Sequence, residues 1–185
     1  AHEAGLKNVL VTNGYINQPP LKKLTKYIDA ANIDLKSYHN DFYKEICGGT
    51  KEPVLETIKY LYDKVHLEIT TLIVTNQNDG LEELAEIFKW IASLSEDIPL
   101  HLSRYFPNYE MEEPATPTAK MEAAYDLAKE HLNYVYIGNM RTKKGQNTFC
   151  PGCGAEVISR QYFSSENHLK EGKCPECGRQ ILKNY

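Results

Sequence analysis

The chain has 185 residues, 42% of them hydrophobic and 25% charged, with 11 glycines, 9 prolines and no run of 18 apolar residues, which excludes collagen-like, low-complexity and membrane-spanning classes. A chain of this length buries about 70% of its unfolded surface, room for one domain with a true core and a small appendage. The net charge of −4 argues against wholesale phosphate binding, but it is uneven, −8 over residues 1–140 and +4 over residues 141–185, so a composition break sits near residue 140.

From the amino terminus, AHEAGLK reads as the end of a helix and leads straight into an apolar run. With no basic segment before a long apolar one, it carries no secretory signal, and the cytoplasm is the expected compartment. Residues 1–140 then repeat one rhythm, in which a short β-branched run, a polar turn and a stretch of helical period follow one another. The predicted strands are Val9 to Asn13, Ala31 to Leu35, Val65 to Val74, Leu100 to Arg104 and Tyr134 to Gly138. Their near-continuous apolar character predicts parallel strands covered on both faces. Between them, Pro20 opens a helix with Leu21, Leu24 and Ile28 on one side, and Pro53 starts another that aligns Leu55, Ile58 and Leu61. Asp79 is placed to cap LEELAEIFKWIASL, and Thr116 followed by Pro117 to start TAKMEAAYDLAKEHL. Alternation of this kind gives a parallel α/β fold, either an open doubly wound sheet or a sector of a barrel.

Ligands of parallel α/β folds bind at the carboxyl ends of the strands. Here those ends read Thr12-Asn13-Gly14, Asp34-Leu35-Lys36, Thr75-Asn76 and Ser103-Arg104-Tyr105, four polar tips that suggest one site. Capping of the following turns explains any single tip as well. Cys47, alone before a Gly-Gly turn, reads as a small buried residue. His2, His39, His66 and His131 show no partner spacing, and the 13 tyrosines no stacking period.

Cys150, Cys153, Cys174 and Cys177 form C-x2-C-x20-C-x2-C, each knuckle followed by glycine. Two such knuckles supply the four thiolates of a structural zinc site, or of a rubredoxin-like iron site. Residues 141–185 therefore read as a zinc-ribbon-like module whose folding free energy comes mainly from the metal. His168, between the knuckles, is read as a surface residue because four thiolates close the site. The module's positive charge and its Tyr162-Phe163 pair permit a nucleic-acid or protein contact, although a solvated face is the plainer reading and nucleic acid is not an expected partner.

TNGY at Thr12, IDLK ending at Lys36, CGGTKEPVLETIKYL from Cys47 and HLSRYFPNYEM from His101 occur in that order, followed by YVYIGN and NTFCPGCG. Together these segments resemble the carboxyl-terminal half of the AmmeMemoRadiSam-system radical SAM enzymes, relatives of the pyruvate formate-lyase activating enzymes. The resemblance implies a partial TIM-like (βα) barrel. It further implies that the full-length parent holds S-adenosylmethionine against a 4Fe-4S cluster and cleaves it to a 5′-deoxyadenosyl radical that abstracts hydrogen from a protein or small-molecule substrate. On that alignment Thr12, Asn13, Asp34 and Lys36 match strand tips beside S-adenosylmethionine, where Lys36 offers a compact cation to its carboxylate and Asp34 a hard oxygen to its ammonium or to a monovalent cation.

The sequence departs from the family at several points. The C-x3-C-x2-C cluster loop and the GGEP-type segment do not occur in these residues, so the chain is expected to be a fragment that does not form the cluster by itself. Val11 stands where the activating enzymes have Asp, and Thr70 where they have Arg. Of the remaining polar candidates on the next strand, His101 and Arg104, Arg104 is expected to face the cofactor, since residues three apart point to opposite faces. No membrane partner is expected, and the first strand, lacking a neighbour, is expected to make the fragment self-associate. The competing reading is a non-enzymatic module that presents its ribbon to a protein or nucleic acid.

Overall fold

In a computed structural model, residues 1–161 and 164–182 are described. The Tyr162-Phe163 pair lies outside the described residues. Five parallel strands, β1 (Val9–Thr12), β2 (Ala30–Asp34), β3 (His66–Ile73), β4 (Leu100–Arg104) and β5 (Val135–Gly138), form one sheet in the order β1-β2-β3-β4-β5. A doubly wound sheet reverses its strand order at a switch point. This order never reverses, so the sheet is a sector of a singly wound barrel, as the resemblance implied.

The connecting helices are α1 (Gln18–Leu24), a short α2 (Asn40–Phe42) that continues into a π-helical turn over Tyr43–Cys47, α3 (Glu52–Leu61), α4 (Leu81–Leu94) and α5 (Thr118–Lys129). Proline occupies the first turn of α1 and of α3, where a missing N–H costs nothing. The other two starts differ from expectation. Gly80, not Asp79, is the N-cap of α4, because the Asp79 carboxylate instead accepts the Asn76 N–H at 3.2 Å. Helix α5 begins one residue later than expected, with Pro117 as N-cap, since the Thr116 hydroxyl turns back to donate to the Ile73 carbonyl at 2.5 Å.

Burial alternates along the strands, and in β3 Leu67, Ile69, Thr71 and Ile73 are buried while His66, Glu68, Thr70 and Leu72 are half-buried. The buried set joins Ile33, Leu100, Leu102 and Val135 with Ile58 of α3, Ile87, Phe88 and Ile91 of α4, and Met121 and Ala124 of α5 in one continuous core. Only one face of the sheet is therefore covered by helices, which corrects the expectation of two. The other face is largely polar because it is the inner wall of the barrel sector. At the open edge, β1 exposes Val9 (62%) and Val11 (78%).

At the far edge, the Ile137 N–H donates to the Gly145 carbonyl at 3.0 Å. Gly145 has φ +64°, and a Cβ there would stand 2.8 Å from the Ile137 nitrogen, so close approach along β5 requires glycine. Beyond it lies a three-stranded antiparallel sheet, β6 (Thr148–Phe149), β7 (Glu156–Gln161) and β8 (Ser164–Asn167), in the order β6-β7-β8.

Candidate cofactor-facing strand tips and a four-cysteine cluster

The tip of β1 is a tight turn built from its own side chains. Thr12 Oγ1 accepts the Gly14 N–H at 3.1 Å and Asn13 Oδ1 accepts the Tyr15 N–H at 3.0 Å. Gly14 has φ +71° and packs so closely on β2 that a Cβ would meet Ile33 Cγ2 at 2.8 Å. Thr12 and Asn13 thus shape the turn, whatever else they contact.

At the β2 tip, Lys36 Nζ lies 3.0 Å from Asp34 Oδ2, and both side chains remain about a third exposed. Asp34 pairs across the ladder with Thr70, on the face away from the helices, where Thr70 Oγ1 donates to Asn32 Oδ1 at 2.8 Å. The backbone around Lys36 is fixed from two sides. Its N–H donates to Tyr43 Oη at 3.2 Å, and its carbonyl accepts from Asn78 Nδ2. Asn78 also accepts the Val74 N–H at 2.7 Å, so the β2 and β3 tips are tied together. On the β3 tip, the Thr75 hydroxyl is buried and has no hydrogen-bond partner among the described residues. An unsatisfied buried polar atom costs about 1–3 kcal/mol.

Strand parity reverses the expectation for the β4 pair. Arg104 aligns with Ile73 and shares the parity of buried Leu100 and Leu102. Its Nε donates to the Thr116 carbonyl at 2.7 Å, and its guanidinium lies 4.6 Å from the Phe106 ring centroid. His101 is the inward residue, aligned with Thr70 and Tyr136. There its Nε2 lies 2.7 Å from Glu68 Oε2, while Glu68 Oε1 lies 3.0 Å from His66 Nε2. These bonds, that of His101 foremost and then that of His66, hold the Glu68 carboxyl well below the usual carboxylate range. Glu68 was missed in the sequence because a carboxylate inside an apolar strand carries no motif. The signal that finds it is the period-two pair His66 and Glu68, whose side chains share a face of β3. Cys47, expected to be buried, is exposed in the π-helical turn.

In the second sheet, the knuckles bring the sulfurs of Cys150, Cys153, Cys174 and Cys177 within 4.8 Å of one another. Cys150 and Cys177 sulfurs are 3.5 Å apart, and those of Cys153 and Cys174 3.6 Å. Four sulfurs bound to zinc at 2.3 Å lie about 3.8 Å apart at the corners of a tetrahedron, so the four thiols stand close to the spacing that a metal requires. Burial opposes ionisation of Cys150, but N–H groups of Gly152 and Cys153 and the neighbouring thiols outweigh it and bring that thiol down to about 7, while Cys153 and Cys177 are pushed up by the sulfurs beside them, so binding a metal at all four would displace protons from the set. His168 is exposed, as expected.

Residues 1–91 match the Radical SAM superfamily. The radical SAM resemblance read from the strand tips is therefore borne out, and the fold agrees with it. A domain of pyruvate-formate lyase-activating enzyme from Bacteroides vulgatus superposes with a TM-score of 0.63 at 15% identity, covering 74% of this chain and 84% of that one. An uncharacterised protein of Methanocaldococcus jannaschii is 43% identical over 98% of this chain and 56% of its own length. The S-adenosyl-L-methionine-dependent tRNA 4-demethylwyosine synthase of the same organism is 29% identical over 48% of this chain and 28% of its own. The chain thus spans about half the length, or less, of the curated relatives it matches. Among the described residues no helix is long and apolar enough to cross a membrane.

Proposed function

We propose that residues 1–140 contribute the later strands of a radical SAM barrel of the pyruvate formate-lyase activating type, and that residues 141–185 are a zinc ribbon clipped to it. One observation carries the reading. The Asp34–Lys36 pair, at 3.0 Å and open to solvent, stands on the carboxyl tip of β2 within the matched segment. A lysine ammonium and an aspartate side by side suit the carboxylate and ammonium of the amino-acid end of S-adenosylmethionine. When bound, the cluster and S-adenosylmethionine supply a 5′-deoxyadenosyl radical for hydrogen abstraction. Lone Cys47 is the only cysteine before Cys150, so these residues do not provide a three-thiolate cluster site, and its ligands would come from sequence outside them. The role of this chain is to hold and orient the amino-acid end of S-adenosylmethionine through Asp34 and Lys36. The four free cysteines of the cluster are in keeping with a reducing compartment, the cytoplasm.

The test uses the whole gene product with its cluster region, reconstituted anaerobically with iron and sulfide and given dithionite and S-adenosylmethionine. Lys36→Met and Asp34→Asn are each expected to weaken S-adenosylmethionine binding by about tenfold or more, the loss of one charge-assisted contact, and to lower 5′-deoxyadenosine release, with metal at the four cysteines unchanged. Wild-type protein that yields no 5′-deoxyadenosine, or variants that bind as tightly as it does, would overturn the assignment and favour an interaction module.

A further inference from the structure

The polar face of the sheet and the four-cysteine module enclose a cavity of about 560 Å³, within the size range of small-molecule sites. It lies against the amino-terminal halves of β3, β4 and β5, at the other end of the strands from Asp34 and Lys36. On the module side its wall carries Arg160. Nη1 of Arg160 donates to the Gln146 carbonyl at 3.0 Å and to Thr148 Oγ1 at 2.9 Å, and the guanidinium lies 5.1 Å from the Tyr136 ring centroid. Tyr136 is itself held, by its hydroxyl 2.8 Å from Thr148 Oγ1 and by stacking on His101 at 5.3 Å. The cation is therefore locked in position before any ligand arrives.

The acids of the cavity are already engaged. Both Glu68 oxygens face imidazoles, and Asp97 Oδ1 accepts from Asn133 at 2.8 Å and Arg179 at 3.4 Å. Arg160, by contrast, has no carboxylate partner among the described residues. The remaining wall includes the apolar side chains of Val65, Ile98, Ile158 and Ile181. A fixed guanidinium beside apolar walls matches a ligand with one carboxylate and an apolar body, because the fork takes a carboxylate through two parallel hydrogen bonds. A phosphate would bring a second negative charge toward Glu68 and Asp97. We infer that this cavity binds a small organic monocarboxylate, anchored by Arg160.

Calorimetry on the metal-loaded chain with 3-phenylpropionate, hexanoate and indole-3-acetate, and with 3-phenylpropionamide as the uncharged counterpart, tests this. At least one carboxylate should bind saturably, the amide about tenfold or more weaker than 3-phenylpropionate if that acid binds, and Arg160→Gln should weaken the acid by a similar factor. Lys170→Gln, an exposed cation on the same module, should leave affinity unchanged, and shifts of the His101 and Tyr136 resonances should place the ligand. Should Arg160→Gln fail to retain metal, the acid-against-amide comparison on the wild-type chain still decides. No saturable binding by any of the acids at millimolar concentration, equal binding of acid and amide, or an equal loss in Lys170→Gln would each overturn the proposal.

Discussion

The two sheets of this chain are stabilised by different means. The parallel sheet shares with its helices one apolar cluster running from Leu21 to Ile137, whose members Ile33, Ile69, Ile87, Phe88 and Leu100 are fully buried. The antiparallel module buries Cys150, Val157 and Cys174, with Ala155, Leu169 and Ile181 packed beside them, so among the described residues two of the three members of its small buried apolar cluster are themselves candidate ligands. At about 25 cal/mol per Å² of apolar surface, the first cluster suffices to hold a fold and the second does not. The difference teaches where a metal would matter: the parallel sheet has an apolar core to hold it, whereas the carboxyl-terminal module is expected to depend on a metal at its four cysteines.

The largest expected effect follows directly. Chelation, or Cys174→Ser, should unfold the module, since a structural metal bound to four thiolates contributes on the order of 10 kcal/mol. The parallel sheet should persist. Amide resonances of residues 150–179 should collapse, while the fluorescence of Trp90, the single tryptophan, set on α4 6.3 Å from the Tyr38 ring, stays native. Elemental analysis should find about one zinc or iron per chain. A module that keeps its dispersed amide spectrum without metal would break the comparison.

The converse substitution comes next. Phe88→Ala removes a fully buried ring and should cost the parallel sheet about 3–5 kcal/mol, the range for an aromatic truncated in a core. Urea unfolding followed at Trp90 measures it, and metal content at the four cysteines should not change. Loss of metal together with the sheet would show that the two regions unfold as one unit.

Much of this architecture was legible in the sequence because period carries it. Strand positions are recovered to within a residue or two, as for Leu100–Arg104, since β-branched runs bounded by turns have few alternatives. The C-x2-C pairs located the four-cysteine cluster because their spacing admits little else. What failed was orientation. Arg104 and His101 exchange faces relative to expectation because register across β3 and β4 is set by long-range pairing, which local sequence does not encode. In the inner-face group, the period-two pair His66 and Glu68 is local, but its meeting with His101 is not, being a contact between two strands 33 residues apart in the chain. Caps were misjudged where a side chain had a better partner, as Thr116 found in the Ile73 carbonyl.

The smallest expected effect lies where the two regions meet, at Glu68. Its carboxyl is held below the usual carboxylate range by hydrogen bonds from His101 and then His66, and His101 continues through Tyr136 to Thr148 of the module. A carboxyl whose folded value is depressed contributes stability above its unfolded pKa of about 4.3, and that contribution is lost as pH falls through the folded value. Glu68→Gln should therefore lower stability near pH 7 by about 1 kcal/mol, less than a fully buried charged pair because the side chain is 32% exposed and water screens it. The gap between variant and wild type should narrow as pH falls below about 4.3. Trp90 reads the parallel sheet alone, so release of metal from protonated cysteines in acid does not enter the comparison if both proteins are measured without metal as well as with it. A gap present with metal and absent without it would locate the contribution of Glu68 in the contact between the regions, whereas a gap that does not narrow below about pH 4.3 would mean that the carboxylate is not the ionised partner of the two imidazoles.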